Sequence, residues 1–184
     1  MKYLLYPLAL IGLIFFAEGI YSQINKKGAK SARLPCHNKA VVFERLYAPE
    51  LLASSKEALL SGHYVLSSSV KKATFMKSKL FEYVNLKEVD TMVTEAIATK
   101  QHLKNISDEK LHITYYIYEN DKKDPGKKTP KSKLYAGYLH FTFEMNGKKV
   151  YINQSDFMDL QGQDISKSVQ CVIESFLTLS ENPS

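Results

Sequence analysis

The hydrophobic positions of this chain repeat at two different periods, one typical of helices and one typical of strands. Apolar residues recur at helical spacing in three early stretches, at residues 41–46, 51–60 and 86–103. From Leu111 onward apolar and polar residues alternate one by one, which is the period of a half-buried strand. This change of period predicts an α+β fold in which helices precede a small sheet.

Residues that start and stop helices support the predicted helices. Pro49 suits a first helical turn, and Gly62 follows the leucines of the second helix, where a terminating glycine is expected. Asn85 can cap the third helix, whose apolar face continues to Leu103. Residues 63–84 are ambiguous, and we interpret them as a strand followed by a helix.

An Asn146-Gly147 pair predicts a tight hairpin between a strand ending at about Met145 and the strand that follows it. Both residues tolerate the positive φ that a type I′ turn requires. In the resulting register Glu144 lies opposite Lys149, Phe143 opposite Val150 and Thr142 opposite Tyr151. This register places Tyr151 on the polar face of the sheet.

A last amphipathic helix is predicted after Asp164, which we expect to cap it. Its apolar stripe consists of Ile165, Val169, Val172, Ile173 and Phe176. The predicted architecture is therefore a small antiparallel meander of three to four strands, packed against several amphipathic helices. The C-terminal helix is expected to cover the sheet.

The N-terminal residues predict export. Lys2 supplies one positive charge, and the 15 residues from Tyr3 to Ala17 carry none. A membrane-spanning helix needs about 20 apolar residues, so this run indicates a cleaved signal peptide over residues 1–22. The alternative is an uncleaved anchor. We expect a basic flexible leader over residues 23–35, a single α+β domain over residues 36–184, secretion or periplasmic localisation, and no stable membrane span after cleavage.

Two cysteines, Cys36 and Cys171, lie 135 positions apart. In an oxidising compartment a lone pair of cysteines is most simply a disulfide. The alternative makes Cys36 a nucleophile with His37 as its base. Adjacent residues rarely present their side chains in the geometry that this chemistry needs, so a structural disulfide is our prediction.

Composition adds charge but no catalytic motif. The chain has 184 residues, of which 45% are hydrophobic and 24% charged, which excludes a collagen-like, coiled-coil or wholly disordered protein. Lys and Arg number 25 against 19 Asp and Glu, for a net charge of +6. No phosphate-binding glycine loop, nucleophile elbow, zinc-protease or CxxC motif is present, and no cofactor or metal is expected. Asp156 and Asp159 are interpreted as solvated loop residues.

The loop from Asp121 to Lys133 is the first candidate binding element. It holds two aspartates and six lysines, namely Lys122, Lys123, Lys127, Lys128, Lys131 and Lys133. Such a loop attracts anions at low salt. The alternative is a solvated, flexible loop whose lysines aid solubility.

A row of aromatic residues is the second candidate. Alternation places six side chains on one face of the sheet: His112, Tyr116, Tyr118, Tyr138, His140 and Tyr151. Tyrosine combines apolar area with a hydroxyl, so this face can recognise a partner. The alternative is that a helix covers this face and the hydroxyls reach its rim.

These features favour an exported, non-catalytic binding module, such as an inhibitor, an immunity-like protein or an envelope adaptor. Its expected partner is a protein or an anionic envelope or extracellular molecule. Nucleic acid is not expected, because the basic loop does not interleave aromatic residues. Two alternatives remain: a small secreted hydrolase that uses His112 or His140 with Glu144 or an aspartate, and a lipid carrier with an apolar cavity between sheet and helices.

Overall fold

A computed structural model describes residues 33–38, 42–102, 109–127 and 129–180 of the chain. The predicted signal peptide over residues 1–22 lies outside these ranges, as does most of the predicted leader over residues 23–35. Among the lysines of the candidate loop, Lys128 and the side chain of Lys131 also lie outside them.

Five strands form one sheet within the described ranges. They are β1 (Val42–Leu46), β2 (Tyr64–Lys71), β3 (Leu111–Glu119), β4 (Gly137–Met145) and β5 (Lys148–Phe157). Their order across the sheet is β1-β5-β4-β3-β2. Neighbouring strands are antiparallel except for β2 and β3, which run parallel. The first strand in the described ranges therefore pairs with the last.

Three α-helices are present in the part of the chain that the structure describes: α1 (Leu52–Leu60), α2 (Leu86–Ala98) and α3 (Ile165–Leu177). The Asn85 side chain accepts a hydrogen bond from the Lys87 N–H at 2.9 Å, which confirms the predicted cap of α2. The C-terminal helix α3 contacts β4 and β5. The α+β fold class and the C-terminal helix over the sheet are thereby confirmed. No helix in the described ranges is long and apolar enough to cross a bilayer.

The helices pack on one face of the sheet, which we call the inner face. Along β3, every second side chain from Leu111 to Glu119 is buried there. The Phe143 ring of β4 stacks on the Phe176 ring of α3, with 4.3 Å between ring centroids. The side chains that alternate with these form the outer face of the sheet, and none of them belongs to the hydrophobic core of the described residues.

The sheet is larger than the sequence predicted, because two segments join it through distant partners. Residues 42–46, predicted as a short helix, form β1, and β5 supplies their backbone hydrogen-bond partners. Residues 64–71 form β2, as expected, but pair in parallel with β3. The helix predicted within residues 63–84 is also wrong, since a single 3₁₀ turn, Leu80–Glu82, occurs there.

The predicted hairpin turn is confirmed, but its register is only partly right. Asn146 and Gly147 have φ values of 54° and 72°, as a type I′ turn requires, and Glu144 lies opposite Lys149. A β-bulge then shifts the register, so that Phe143 pairs with Tyr151. The extra residue turns Tyr151 to the inner face, where it is 0% exposed. The prediction that Tyr151 lies on the polar face is therefore wrong.

A disulfide ties the start of the described chain to the last helix. Cys36 and Cys171 are bonded, with 5.9 Å between their Cα atoms, as predicted. The bond is consistent with an oxidising extracellular compartment. Nearby, the Arg33 guanidinium donates two hydrogen bonds to the Glu44 carboxylate, at 3.1 and 3.0 Å, and a third to the Ser175 carbonyl at 2.6 Å. The disulfide and the Arg33–Ser175 hydrogen bond thus join the start of the described chain to α3, while the Arg33–Glu44 ion pair joins it to β1.

The residue before α3 has a different role from the predicted one. Asp164 precedes the helix, but its side chain accepts no hydrogen bond from a helical N–H. Its carboxylate instead accepts from the N–H groups of Met158 and Asp159, at 2.7 and 3.2 Å. Asp164 therefore stabilises the loop that leads into α3 rather than the first helical turn.

Candidate binding surface

Four aromatic side chains on neighbouring strands form a continuous cluster on the outer face. We call Tyr116, Tyr118, Tyr138 and His140 the ring cluster. Tyr118 stacks on Tyr138 with 4.6 Å between centroids, and Tyr116 stacks on His140 at 4.9 Å. Tyr116 and Tyr138 meet edge to face at 6.0 Å. The register explains these contacts, because Tyr118 lies opposite Tyr138 and Tyr116 opposite His140 across β3 and β4.

Lysine ammonium groups lie close to two rings of the cluster. The Lys71 Nζ lies 3.6 Å from the Tyr116 ring centroid, and the Lys127 Nζ lies 5.2 Å from that of Tyr118. Lys71 is exposed, so the ammonium hydrogens that do not face the Tyr116 ring can bind an anion. The rings and the cations therefore form one mixed surface.

A second aromatic group follows the same pattern beyond the end of β1. Tyr47 is exposed, and the Arg45 guanidinium lies 4.9 Å from its ring centroid. The Lys149 Nζ lies 5.5 Å from the same centroid. Aromatic rings with neighbouring cations thus occur near both edges of the sheet, next to β1 and next to β2.

The environment of His140 is electrostatically positive. Burial lowers the pKa of His140 below its ordinary value, and the charges of Lys71 and Lys149 lower it further, while a backbone hydrogen bond opposes them. Glu144 and Asp156 are the carboxylates of β4 and β5 that lie on the outer face. Three cations of the same face, Arg45, Lys71 and Lys149, outnumber these two carboxylates. Positive charge therefore dominates around the ring cluster.

Asp156 is a buried carboxyl at the edge of the ring cluster, and the sequence interpretation missed it. It lies opposite Tyr138 and is 5% exposed. Among the described residues, its carboxylate accepts one hydrogen bond, from the Gln154 Nε2 at 3.3 Å. Burial raises its pKa to about 6. Asp156 lies on β5 rather than in a solvated loop because the strand continues to Phe157, and the bulge turns its side chain to the outer face.

Of the six residues predicted on the outer face, four form the ring cluster, one lies apart on the same face and one lies on the inner face. Tyr116, Tyr118, Tyr138 and His140 lie together and are half-buried. His112 is exposed on the same face, opposite Glu144, and no hydrogen bond joins these two side chains within the described ranges. Tyr151 lies on the opposite face, beneath the helices.

The basic loop is held in place in part by Lys127, whose side chain folds back and donates hydrogen bonds to the start of the loop. The Lys127 Nζ donates to the Asn120 Oδ1 at 2.5 Å, to the Asp121 carbonyl at 3.0 Å and to the Tyr118 hydroxyl at 3.2 Å. Lys122 and Lys123 line a groove beside the end of β3, and Lys133 is exposed. The four loop lysines whose side chains the structure describes therefore do not form one continuous surface.

One group of potential metal ligands occurs in the described ranges, where the ligand atoms of Cys36, His37 and Cys171 lie within 4.8 Å of one another. Both sulfurs form the disulfide, so neither is available as a thiolate. The His37 Nε2 shares a hydrogen bond with the Ser175 hydroxyl at 2.7 Å. This arrangement stabilises the fold.

Aromatic side chains fill the space between sheet and helices, where the lipid-carrier alternative places its cavity. Phe141, Phe143 and Phe176 are each 0% exposed there.

No protein-family model, curated protein or solved structure gives a significant match to this chain.

Proposed function

We propose that this chain is an exported, non-catalytic binding module that recognises an acidic surface of another protein through the outer face of its sheet. The observation that carries this proposal is the combination of clustered rings and neighbouring cations on a face outside the hydrophobic core. Tyrosine rings bury large areas at low entropic cost, and lysine and arginine select carboxylates.

The dimensions of the face suit a protein partner. Five strands spaced about 4.8 Å apart make a sheet about 20 to 25 Å wide; β2 to β5 extend about 30 Å, and the shorter β1 extends about half as far. The resulting area of about 600 to 700 Å² is close to the roughly 800 Å² that each partner contributes to a standard interface. Small anions would occupy only a fraction of it.

The charges indicate the partner's chemistry. Arg45, Lys71 and Lys149 are exposed on this face, whereas Asp156 is buried and Glu144 is half-buried. A partner that presents carboxylates can bind these cations while its apolar side chains cover the rings. Because the attraction is electrostatic, we expect association to weaken and slow as salt increases.

Selection from a displayed random-peptide library tests the proposal with defined chemistry. The oxidised chain from residue 23 onward is immobilised, and bound peptides are sequenced. We expect enrichment of sequences that combine Asp or Glu with aromatic or aliphatic residues. Enrichment of basic peptides, or of none, contradicts the proposal.

Charge variants locate the site of peptide binding. Lys71→Glu with Lys149→Glu should weaken the selected peptides about tenfold or more, measured by fluorescence anisotropy. Lys87→Glu with Lys167→Glu changes the net charge equally at exposed positions of α2 and α3 and is the matched control. Equal losses in both double variants would show non-specific attraction and overturn the assignment to the outer face.

A further inference from the structure

A groove of about 550 Å³ lies beside the end of β3, and no outer-face side chain of the strands lines it. Leu80 and Ala136 form its buried floor, and Met76, Tyr83 and Leu160 line its sides. Its volume falls in the range of small-molecule sites, which is about 300 to 1,000 Å³. The groove is thus a separate candidate site.

Two carboxylates hold one wall of the groove in place. The Glu119 carboxylate accepts hydrogen bonds from the backbone N–H groups of Ala73, Lys79 and Leu80, at 3.1, 2.8 and 3.0 Å. Asp121 accepts two more from residues 74 and 75, at 2.7 and 2.5 Å. The wall is therefore formed before any ligand arrives, which lowers the entropic cost of binding.

The rim of the groove is positively charged. Lys77, Lys79, Lys122 and Lys123 line it, and Glu119 is the carboxylate among the lining residues. Burial raises the pKa of Glu119, but the backbone hydrogen bonds outweigh this effect and lower it, so the carboxylate is charged and already satisfied. Lys77 lies 3.7 Å from Glu82 in an exposed pair, which contributes little. Within the described ranges, no carboxylate forms a salt bridge with the other three lysines.

Large apolar side chains near this rim remain exposed to water. Tyr83 and Leu160, which line the groove, are 58% and 61% exposed, and neighbouring Phe75 is 57% exposed. Apolar groups of this size beside clustered cations indicate a ligand that carries both a negative charge and an apolar part.

We infer that this groove binds a single-chain anionic amphiphile, a long-chain carboxylate or an alkyl phosphate. The head group lies among the lysines of the rim, and the alkyl chain covers Met76, Tyr83 and Leu160. Each methylene that the groove buries should tighten binding by about fourfold. This site is independent of the outer face and of the protein partner proposed for it.

Calorimetric titration of the oxidised chain tests the inference with four probes below their micelle-forming concentrations. They are dodecanoate, dodecyl phosphate, dodecyltrimethylammonium and inorganic phosphate. We expect at least one of the two anionic amphiphiles to bind at one site about tenfold or more tightly than the other two probes. Their ratio distinguishes a carboxylate from a phosphate head group. Equal binding of the cationic amphiphile, or of inorganic phosphate, overturns the inference.

Variants place the amphiphile in the groove. Replacing Lys79, Lys122 and Lys123 with Gln should weaken the anionic probes about tenfold or more. The matched control replaces Lys87, Lys110 and Lys167, which are exposed elsewhere, with Gln. Leu160→Ser should reduce the gain in affinity between octanoate and dodecanoate without changing the melting temperature. If dodecanoate binds both triple variants equally, the assignment of the amphiphile to this groove is wrong. The peptides that bind the outer face should bind both triple variants with the same affinity.

Discussion

On the inner face of the sheet, Tyr115 and Tyr151 are fully buried, and their hydroxyls donate to the carboxylates of Asp90 and Glu44, at 2.6 and 2.5 Å. On the outer face, Tyr116 and Tyr138 are half-buried, and their rings contact each other. Burial raises the pKa of both inner hydroxyls and keeps them protonated as donors. The same residue type stabilises the fold on one face and leaves its ring available to a partner on the other.

The two faces also differ in how much the removal of a side chain should lower the free energy of unfolding. An inner side chain leaves a cavity or an unsatisfied polar group, whereas an outer side chain leaves a surface that water can solvate. Substitutions at matched positions on the two faces therefore test whether the outer face is free for recognition.

Removal of the disulfide should have the largest effect. Cys36→Ser with Cys171→Ser releases a link across 135 residues and should lower the free energy of unfolding by about 4 to 5 kcal/mol on the chain-entropy account. Urea denaturation of oxidised parent and variant measures the difference. Where the variant remains folded, the outer face should bind its peptides as before. A variant as stable as the parent contradicts the expected role of the bond.

Loss of a ring from the inner face should come next. Phe143→Ala removes a fully buried side chain that stacks on Phe176, and we expect a loss of about 3 to 5 kcal/mol in the free energy of unfolding. Thr142→Ala, one residue away on the outer face, is the control and should cost less than about 1 kcal/mol. Similar costs at both positions would mean that the two faces are equally packed.

A hydroxyl deletion compares the same residue on both faces. Tyr151→Phe removes the hydroxyl that donates to the Glu44 carboxylate and accepts from the Asn153 amide, and should lower the free energy of unfolding by about 1 to 3 kcal/mol. Tyr138→Phe should change it by less than about 0.5 kcal/mol. Thermal unfolding of the two variants gives both values. An equal cost would show that the Tyr138 hydroxyl stabilises the fold as much as the Tyr151 hydroxyl does.

The smallest expected effect depends on pH and concerns Asp156. Its pKa is raised to about 6 in the folded protein from an ordinary value of 3.8, so the folded state holds the proton more tightly than the unfolded state. The stability that this proton supplies is complete below about pH 4 and is lost as the pH rises through about 6. Asp156→Asn should therefore be more stable than the parent at pH 7, by about 1 to 2 kcal/mol after allowance for solvent screening.

Chemical denaturation between pH 4 and pH 7 measures this dependence. The advantage of Asp156→Asn should disappear at pH 4, where the parent carboxyl is protonated as well. An advantage that stays constant across this range would show that Asp156 does not titrate there.

Local signals account for the parts of the fold that the sequence predicted. The Asn146-Gly147 turn and the Asn85 cap depend on residues within a few positions of each other, so they can be recognised without knowledge of the rest of the fold. The apolar stripe that places α3 on the sheet is equally local. Cys36 and Cys171 were predictable for another reason, because a lone pair has a single possible pairing.

The errors arise where a distant partner decides the conformation. Asn153 and Ser155 are polar but buried on the inner face, where the Asn153 amide donates to the Tyr151 hydroxyl. Strand alternation assigns polar residues to the solvent-exposed face. The polarity of Asn153 and Ser155 therefore favoured a register without the bulge. Glu44 likewise points inward, where Arg33 and Tyr151 bind its carboxylate. The hydrogen-bond partners of these buried polar groups are not visible in the alternation of apolar and polar residues.

The candidate sites show the same division. The aromatic residues of β3 and β4 were predictable because strand alternation places them on one face. Lys127 was expected to reach solvent with the other loop lysines, but it binds Asn120 and Tyr118 instead. The groove was not predictable, since its wall depends on carboxylates at the end of β3 that lie about 40 positions from the N–H groups they accept.

The pairing of β1 with β5 has a consequence for the kinetics of folding. Val42 pairs with Ser155, so the sheet is complete only after the two ends of the described chain have met. During synthesis β1 leaves the ribosome first and β5 last among the strands, and such non-local pairing slows folding because the chain entropy is lost before the contacts form. Until then the backbone groups of β1 remain open to pairing with another chain. We expect the disulfide, which joins the segment before β1 to the helix after β5, to form late and to end this aggregation-prone interval.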